Sequence, residues 1–244
     1  MTATDGIVWV TAAEATKPPL DAELTGWDVR NRRSTHLNAR RLHEGREYHL
    51  KWFFRRLGDL NPARREFESA IEVSRLGIPT VVAVGWGRHP RGTFFVMEGS
   101  PGGTFYDLPR RPERRDLDRI ARDLGEVVAR LHDARLCHRD LYVDHVLIDG
   151  GRIRLIDLGR VKWFRRRRWI IKDLGGLLFS AWREEVPESA ARRFLSSYLA
   201  HTRRPWKRRR LLARVLRKAR AYWRRNGAPP PTRKRGATSP GDRG

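Results

Sequence analysis

Two acids, Asp140 and Asp157, flank a short segment whose pattern would hold them at fixed places. Between them lie two apolar runs, residues 145–148 and 153–156, joined by Asp149-Gly150-Gly151. That is a strong hairpin signal, and it puts one acid at each end of a strand pair. Phosphoryl transfer uses such a pair: one carboxylate orients the attacking hydroxyl and the other holds a metal on the phosphates. A cation to grip those phosphates is available upstream. Lys51 sits in residues 47–54, where Tyr48, Leu50 and Trp52 alternate with His49, Lys51 and Phe53. This is the pattern of a half-buried strand. Asn61-Pro62 then opens a helix, since Asn caps well and Pro suits the first turn. Glu66 lies one turn into it, placed to pair with Lys51; Glu68 and Glu72 are the alternative partners.

The local motifs sharpen this chemistry. His138-Arg139-Asp140-Leu141 fits the catalytic-loop form H-R-D-L-x-x-x-N, with His145 at the Asn position. Asp157-Leu158-Gly159 fits D-F-G, with Leu for Phe. On this reading Asp140 is the catalytic base and Asp157 a metal ligand. His145 is a poor match to Mg²⁺, which prefers oxygen. It either binds metal weakly or orients Asp140 or Asp157. No G-x-G-x-x-G precedes Lys51. Residues 32–36 occupy that region, where Ser34 and Thr35 either cover phosphates or form a plain turn. Between Gly159 and Lys172 there is no A-P-E and no Ser or Thr. That argues against a peptide acceptor. The segment carries Arg165, Arg166, Arg167 and Arg168 instead, whose guanidinium forks suit carboxylates and phosphates.

The elements that must position these residues can be read in outline. The Asn61 helix stops near Gly77, a suitable residue to end it. Residues 80–84 and 93–98 read as strands, and 100–103 as a break between lobes. Residues 114–135 form an amphipathic helix that delivers the chain to His138. Further helices are expected at 173–182, 187–201 and 207–225. The fold class is α+β: a two-lobed arrangement with a small antiparallel-sheet lobe (27–99) and a mainly helical lobe (100–226). Residues 1–26 read as an adaptable leader. Residues 227–244, with three consecutive prolines, read as a disordered tail. In the 207–225 helix, Leu212, Val215, Leu216, Ala219, Tyr222 and Trp223 make one apolar stripe on an otherwise basic surface.

Composition limits the function classes. The chain has 244 residues and a single cysteine, Cys137, so an internal disulfide framework is excluded. No run reaches the length of a membrane span, and the start lacks the basic flank of a signal peptide. The net charge of +24 is uneven: residues 160–244 hold 26 Lys/Arg against 5 Asp/Glu. Such asymmetry points to an anionic partner.

These motifs together resemble the Kdo/WaaP lipopolysaccharide kinase family, small bacterial kinases with a protein-kinase-like fold. The resemblance rests on residues 48–53 around Lys51, Ala63–Phe67, Leu76–Thr80, Cys137–His145, Ile156–Arg160 and Lys172–Leu177, and covers roughly residues 30–200. A later His in the catalytic loop fits that family. The resemblance implies ATP and Mg²⁺, with Lys51 and Glu66 at the nucleotide phosphates. It implies phosphorylation of an inner-core sugar, Kdo or heptose, of lipopolysaccharide or its lipid-linked precursor. It also implies that Asp173 braces the catalytic loop, with His138 as further support. The expected location is cytoplasmic, peripheral on the inner-membrane face, with an anionic membrane surface as partner. Two other readings compete: a small atypical protein or small-molecule kinase, and a nucleic-acid-binding protein on a degenerate kinase fold. The retained Lys51, Asp140 and Asp157 argue against degeneration.

Overall fold

A computed structural model describes residues 8–11, 20, 24–54, 61–100, 102–104 and 114–226. The expected tail at 227–244 and most of the expected leader lie outside the described residues. The first half is a six-stranded antiparallel sheet in the order β1-β5-β6-β4-β3-β2. Its strands are β1 (Val8–Thr11), β2 (Asp28–Arg32), β3 (His36–His43), β4 (Arg46–Phe54), β5 (Ala83–His89) and β6 (Gly92–Glu98). Helix α1 (Pro62–Arg75) connects β4 to β5.

Alternation in β4 decides where Lys51 goes. Tyr48, Leu50 and Trp52 are buried on one sheet face with Trp27, Leu37, Phe94 and Val96. A strand turns successive side chains to opposite faces, so Lys51 projects from the other side, the side α1 covers. There Phe95 meets Phe67 of α1 at 6.4 Å between ring centroids. Asn61 caps α1, its side chain accepting from the Arg64 N–H at 3.1 Å. Ala63, Glu66, Phe67, Ala70 and Val73 form the buried stripe. Glu66 thus falls on the apolar face of its helix, where a carboxylate needs a partner.

The second half is mainly helical. Short β7 (Gly103–Thr104) precedes α2 (Arg114–Asp133) and β8 (Leu136–Cys137). The hairpin β9 (Val146–Asp149) and β10 (Arg152–Leu155) follows, then β11 (Lys162–Trp163). Three helices complete the described chain: α3 (Arg168–Arg183), α4 (Glu188–His201) and α5 (Arg208–Asn226). Asp149 pairs with Arg152 across Gly150-Gly151, whose φ values of 52° and 79° are the positive pair a two-residue hairpin turn demands. Helices α2 and α4 approach closely at Gly125, where an added Cβ would stand 2.7 Å from the Phe194 carbonyl.

Some sequence expectations need correction. Val8–Thr11, inside the expected leader, is a strand paired with β5. The strand read at 80–84 begins at Ala83 instead. Thr80 bridges to Leu155 of the other lobe, its hydroxyl donating to the Leu155 carbonyl at 2.7 Å. The helix read from Asp173 begins at Arg168. The buried residues of α5 are Leu211, Val215 and Ala219, while Leu212 is exposed. The stripe packs on α3: Phe179 lies 5.8 Å from Tyr222 and 6.1 Å from Trp223 between ring centroids.

Candidate active site

Lys51, Glu66 and Asp157 come from a strand, a helix and the loop after β10, yet meet at one ammonium. Lys51 Nζ donates to Glu66 Oε1 at 3.2 Å and Oε2 at 3.0 Å, and to Asp157 Oδ1 at 2.9 Å. The Lys51 and Glu66 side chains are 12% and 4% exposed, so water screens their pairing little. Burial pushes the Lys51 ammonium down, but the Glu66 and Asp157 carboxylates outweigh it and the net shift is up. Burial raises the Glu66 carboxyl, opposed in part by Lys51. Burial would also raise Asp157; Lys51 overrides it and holds that carboxyl below its ordinary value. The alternative acids are engaged elsewhere: Glu68 pairs with Arg64 at 2.7 Å, and Glu72 accepts from the Trp163 indole at 2.8 Å.

One imidazole ties the two aspartates together. His145 Nδ1 lies 2.7 Å from the Asp140 carbonyl, which can only accept, so Nδ1 carries the proton. Its Nε2 lies 3.5 Å from Asp157 Oδ2. In the neutral ring that nitrogen keeps a lone pair beside a carboxylate oxygen. Both side chains are partly exposed. Asp157 offers the hard oxygen ligand that Mg²⁺ prefers, and the imidazole nitrogen beside it a weaker one.

The catalytic loop is held from beneath. Asp173 of α3 accepts from the backbone N–H of His138 and of Arg139, both at 2.8 Å. His132 Nε2 adds a third contact at 3.4 Å. This fixes Arg139 in the left-handed region at φ 68°, a turn that presents Asp140. His138 Nε2 donates to the Ile156 carbonyl at 3.0 Å, linking the loop to the residue before Asp157. Burial pushes His138 down, keeping it neutral for that role. Asp157 itself has φ 58°. Cys137 is buried, and burial with the nearby Asp173 carboxylate pushes its thiol far up, so it is not a nucleophile.

The remaining candidates are more scattered. Ser34 and Thr35 form the β2–β3 turn, whose Thr35 carbonyl accepts from the Phe54 N–H at 3.0 Å. The Thr35 hydroxyl contacts His36 Nδ1 at 2.8 Å. Two of the four arginines at 165–168 rest on different aromatic rings. Arg167 lies 4.9 Å from the Trp206 ring centroid and Arg168 5.0 Å from that of Trp169. Sequence reasoning missed Arg160, whose Nη1 is 3.4 Å from Asp140 Oδ1, and Lys172, which donates to the Arg139 carbonyl at 2.5 Å. Both lie inside motifs noted above, but nothing in a chain rich in basic residues separates them from their neighbours.

A buried lysine–glutamate pair under a sheet, followed by two aspartates flanking a hairpin, is the arrangement of a protein-kinase-like fold. Solved structures agree. The chain superimposes on WaaP in complex with acyl carrier protein with TM-score 0.60 and 29% identity, covering 80% of this chain and 88% of that one. It also superimposes on aminoglycoside-3'-phosphotransferase of type VIII, TM-score 0.59 and 22% identity, covering 80% and 94%. The second likeness concerns fold alone. The lipopolysaccharide kinase (Kdo/WaaP) family model matches residues 105–198, and the phosphotransferase enzyme family model residues 28–136. Among curated proteins, the chain is 30% identical over 164 residues to lipopolysaccharide core heptose(I) kinase WaaP of Pseudomonas aeruginosa. That match covers 59% of this chain and 60% of the relative's length. It is 27% identical over 187 residues to the protein of that name from Escherichia coli K12, covering 63% and 71%. These matches support the lipopolysaccharide kinase (Kdo/WaaP) family, the one its motifs resemble.

Proposed function

We propose that this chain is an ATP-dependent kinase that phosphorylates a hydroxyl of an inner-core sugar, Kdo or heptose, of lipopolysaccharide or its lipid-linked precursor. The observation that carries the reading is the ammonium shared by Glu66 and Asp157, tied through His145 to the loop of Asp140. Glu66 holds Lys51 where it can contact nucleotide phosphates. Ser34 and Thr35 cover the phosphates from the β2–β3 turn. Asp140 takes the proton of the acceptor hydroxyl as its oxygen bonds to the γ-phosphorus and the bond to the bridging oxygen of ADP breaks. Asp157, with His145, would hold Mg²⁺, which neutralises phosphate charge when bound. His138 and Asp173 keep the loop in place.

Arg165–Arg168 and the basic face of α5 support work on an anionic glycolipid at the cytoplasmic membrane face. Among the described residues no helix is long and apolar enough to cross a membrane. The solved WaaP was captured with acyl carrier protein, and the same kind of partner is part of this reading.

The test is phosphate transfer from ATP to a panel of acceptors: defined core oligosaccharides, Kdo-bearing lipid A precursors and generic peptides. Phosphorylation of a core acceptor, located by mass spectrometry, is the expected result. Transfer to peptides alone would overturn the reading.

A further inference from the structure

Around Asp140 and Trp169 the chain gathers four cations, of which Arg160 alone is paired with a carboxylate among the described residues. The Arg139 and Arg168 guanidinium carbons lie 5.1 and 5.0 Å from the Trp169 ring centroid, and Lys172 Nζ lies 5.8 Å from it. Arg160 stands over Asp140 at 3.4 Å, its side chain 58% exposed. The Arg139 Nε is buried with no hydrogen-bond partner. Lys172 spends one donor on the Arg139 carbonyl. Burial and the repulsion of Arg160 push its ammonium down.

Two nearby acids, Asp173 and Asp140, have other work. Asp173 already accepts from two backbone amides and His132. Asp140 must stay available to the acceptor hydroxyl. Nor can the adjoining segment supply an anion by modification, since residues 159–172 contain no Ser, Thr or Tyr. Like charges brought together repel, and a bound anion relieves that repulsion most where burial limits screening. An unpaired buried guanidinium nitrogen is a donor still waiting for an acceptor.

We propose that Arg139, Arg160, Arg168 and Lys172 form an anion subsite. It seats a carboxylate or phosphate of the acceptor beside the hydroxyl that Asp140 deprotonates. The proposal rests on the kinase reading above and deepens it: the acceptor is acidic close to its reacting hydroxyl. On engagement Arg160 moves from Asp140 to the anion, freeing the base.

The test uses the full chain and one inner-core oligosaccharide in three forms: native, carboxyl-reduced and dephosphorylated. Removing the recognised anion is expected to lower wild-type kcat/KM about tenfold, mainly through KM, and the form that suffers identifies the anion. Arg160→Gln and Lys172→Met are expected to bring the native-to-stripped ratio of kcat/KM close to one, whatever they lose on both acceptors through Asp140 and the Arg139 carbonyl. Arg168→Gln, at an exposed position, serves if Lys172→Met does not fold. Equal use of all three forms by wild type, or full anion preference in the variants, would overturn the subsite. Phosphorylation of none of them removes the core-kinase reading instead. The subsite is then judged by inorganic phosphate binding with a non-hydrolysable ATP analogue in place. Binding weakened in Arg160→Gln and Lys172→Met sustains it; equal or absent binding sinks it.

Discussion

Asp157 is asked to do two things, to pair with Lys51 and to hold a metal, and the two can be separated by substitution. Asp157→Ala is expected to weaken Mg²⁺-dependent nucleotide binding, while Lys51→Ala weakens binding with or without metal. Calorimetric titration with Mg²⁺ and with EDTA distinguishes them, and full Mg²⁺ dependence in Asp157→Ala would remove it as ligand. The ion pairing also has a pH signature. Asp157 is held below its ordinary value of 3.8, so its ionisation contributes stability above that pH. The contribution is lost as pH falls through the lowered value. The urea-midpoint gap between wild type and Asp157→Asn should therefore be steady near neutrality and close in acid. A gap unchanged down to the acid limit would contradict the pairing. Asp140 and Asp157 were legible in the sequence because each sits in a motif; Lys51 and Glu66 were read from strand alternation and helix position, and only the structure separates Glu66 from Glu68 and Glu72. Arg160 and Lys172 were not, because a single basic residue among many carries no periodicity or spacing of its own.

At the scale of elements, α3 acts as the floor of the site. Asp173 is 1% exposed and satisfies the His138 and Arg139 amides. Asp173→Ala would orphan buried donors, each costing about 1–3 kcal/mol. The expected loss in urea denaturation for the two amides is about 2–6 kcal/mol, with activity falling even where the chain remains folded. A loss under about 1 kcal/mol would show that the loop is held by other contacts. The helices were readable from their apolar periodicity, and the β9–β10 hairpin from its turn. The strand read at 80–84 failed because Thr80 is used between lobes: its hydroxyl reaches Leu155, a contact 75 residues away that local pattern cannot register. β1 was missed because its pairing with β5 is likewise remote in sequence. The α5 stripe was read with Val215 and Ala219 inward, as found, but Leu212 was taken where Leu211 is the buried leucine, because both suit an apolar face.

Over the whole molecule, charge and catalysis are arranged together. Helix α5 turns Leu211, Val215 and Ala219 inward and leaves Arg209, Arg210, Arg214, Arg217 and Arg220 exposed. With its stripe packed on α3, the helix offers charge rather than an inserting apolar face. Each basic residue near an anionic leaflet contributes about 1 kcal/mol. The chain should therefore bind vesicles containing anionic lipid, release as salt rises, and ignore neutral vesicles. Salt-insensitive or equal binding to both would contradict this arrangement. The central claim, that these lobes join to transfer phosphate from ATP to a lipopolysaccharide core sugar, is tested most directly by one comparison. Transfer of the labelled γ-phosphate of ATP to a defined inner-core acceptor is measured for wild type and for Asp140→Asn. The expected result is a phosphorylated sugar with wild type and a rate lower by about 10²–10⁴-fold in the variant, nucleotide binding being retained. No transfer by wild type to any core acceptor, or an unchanged rate in Asp140→Asn, would contradict it.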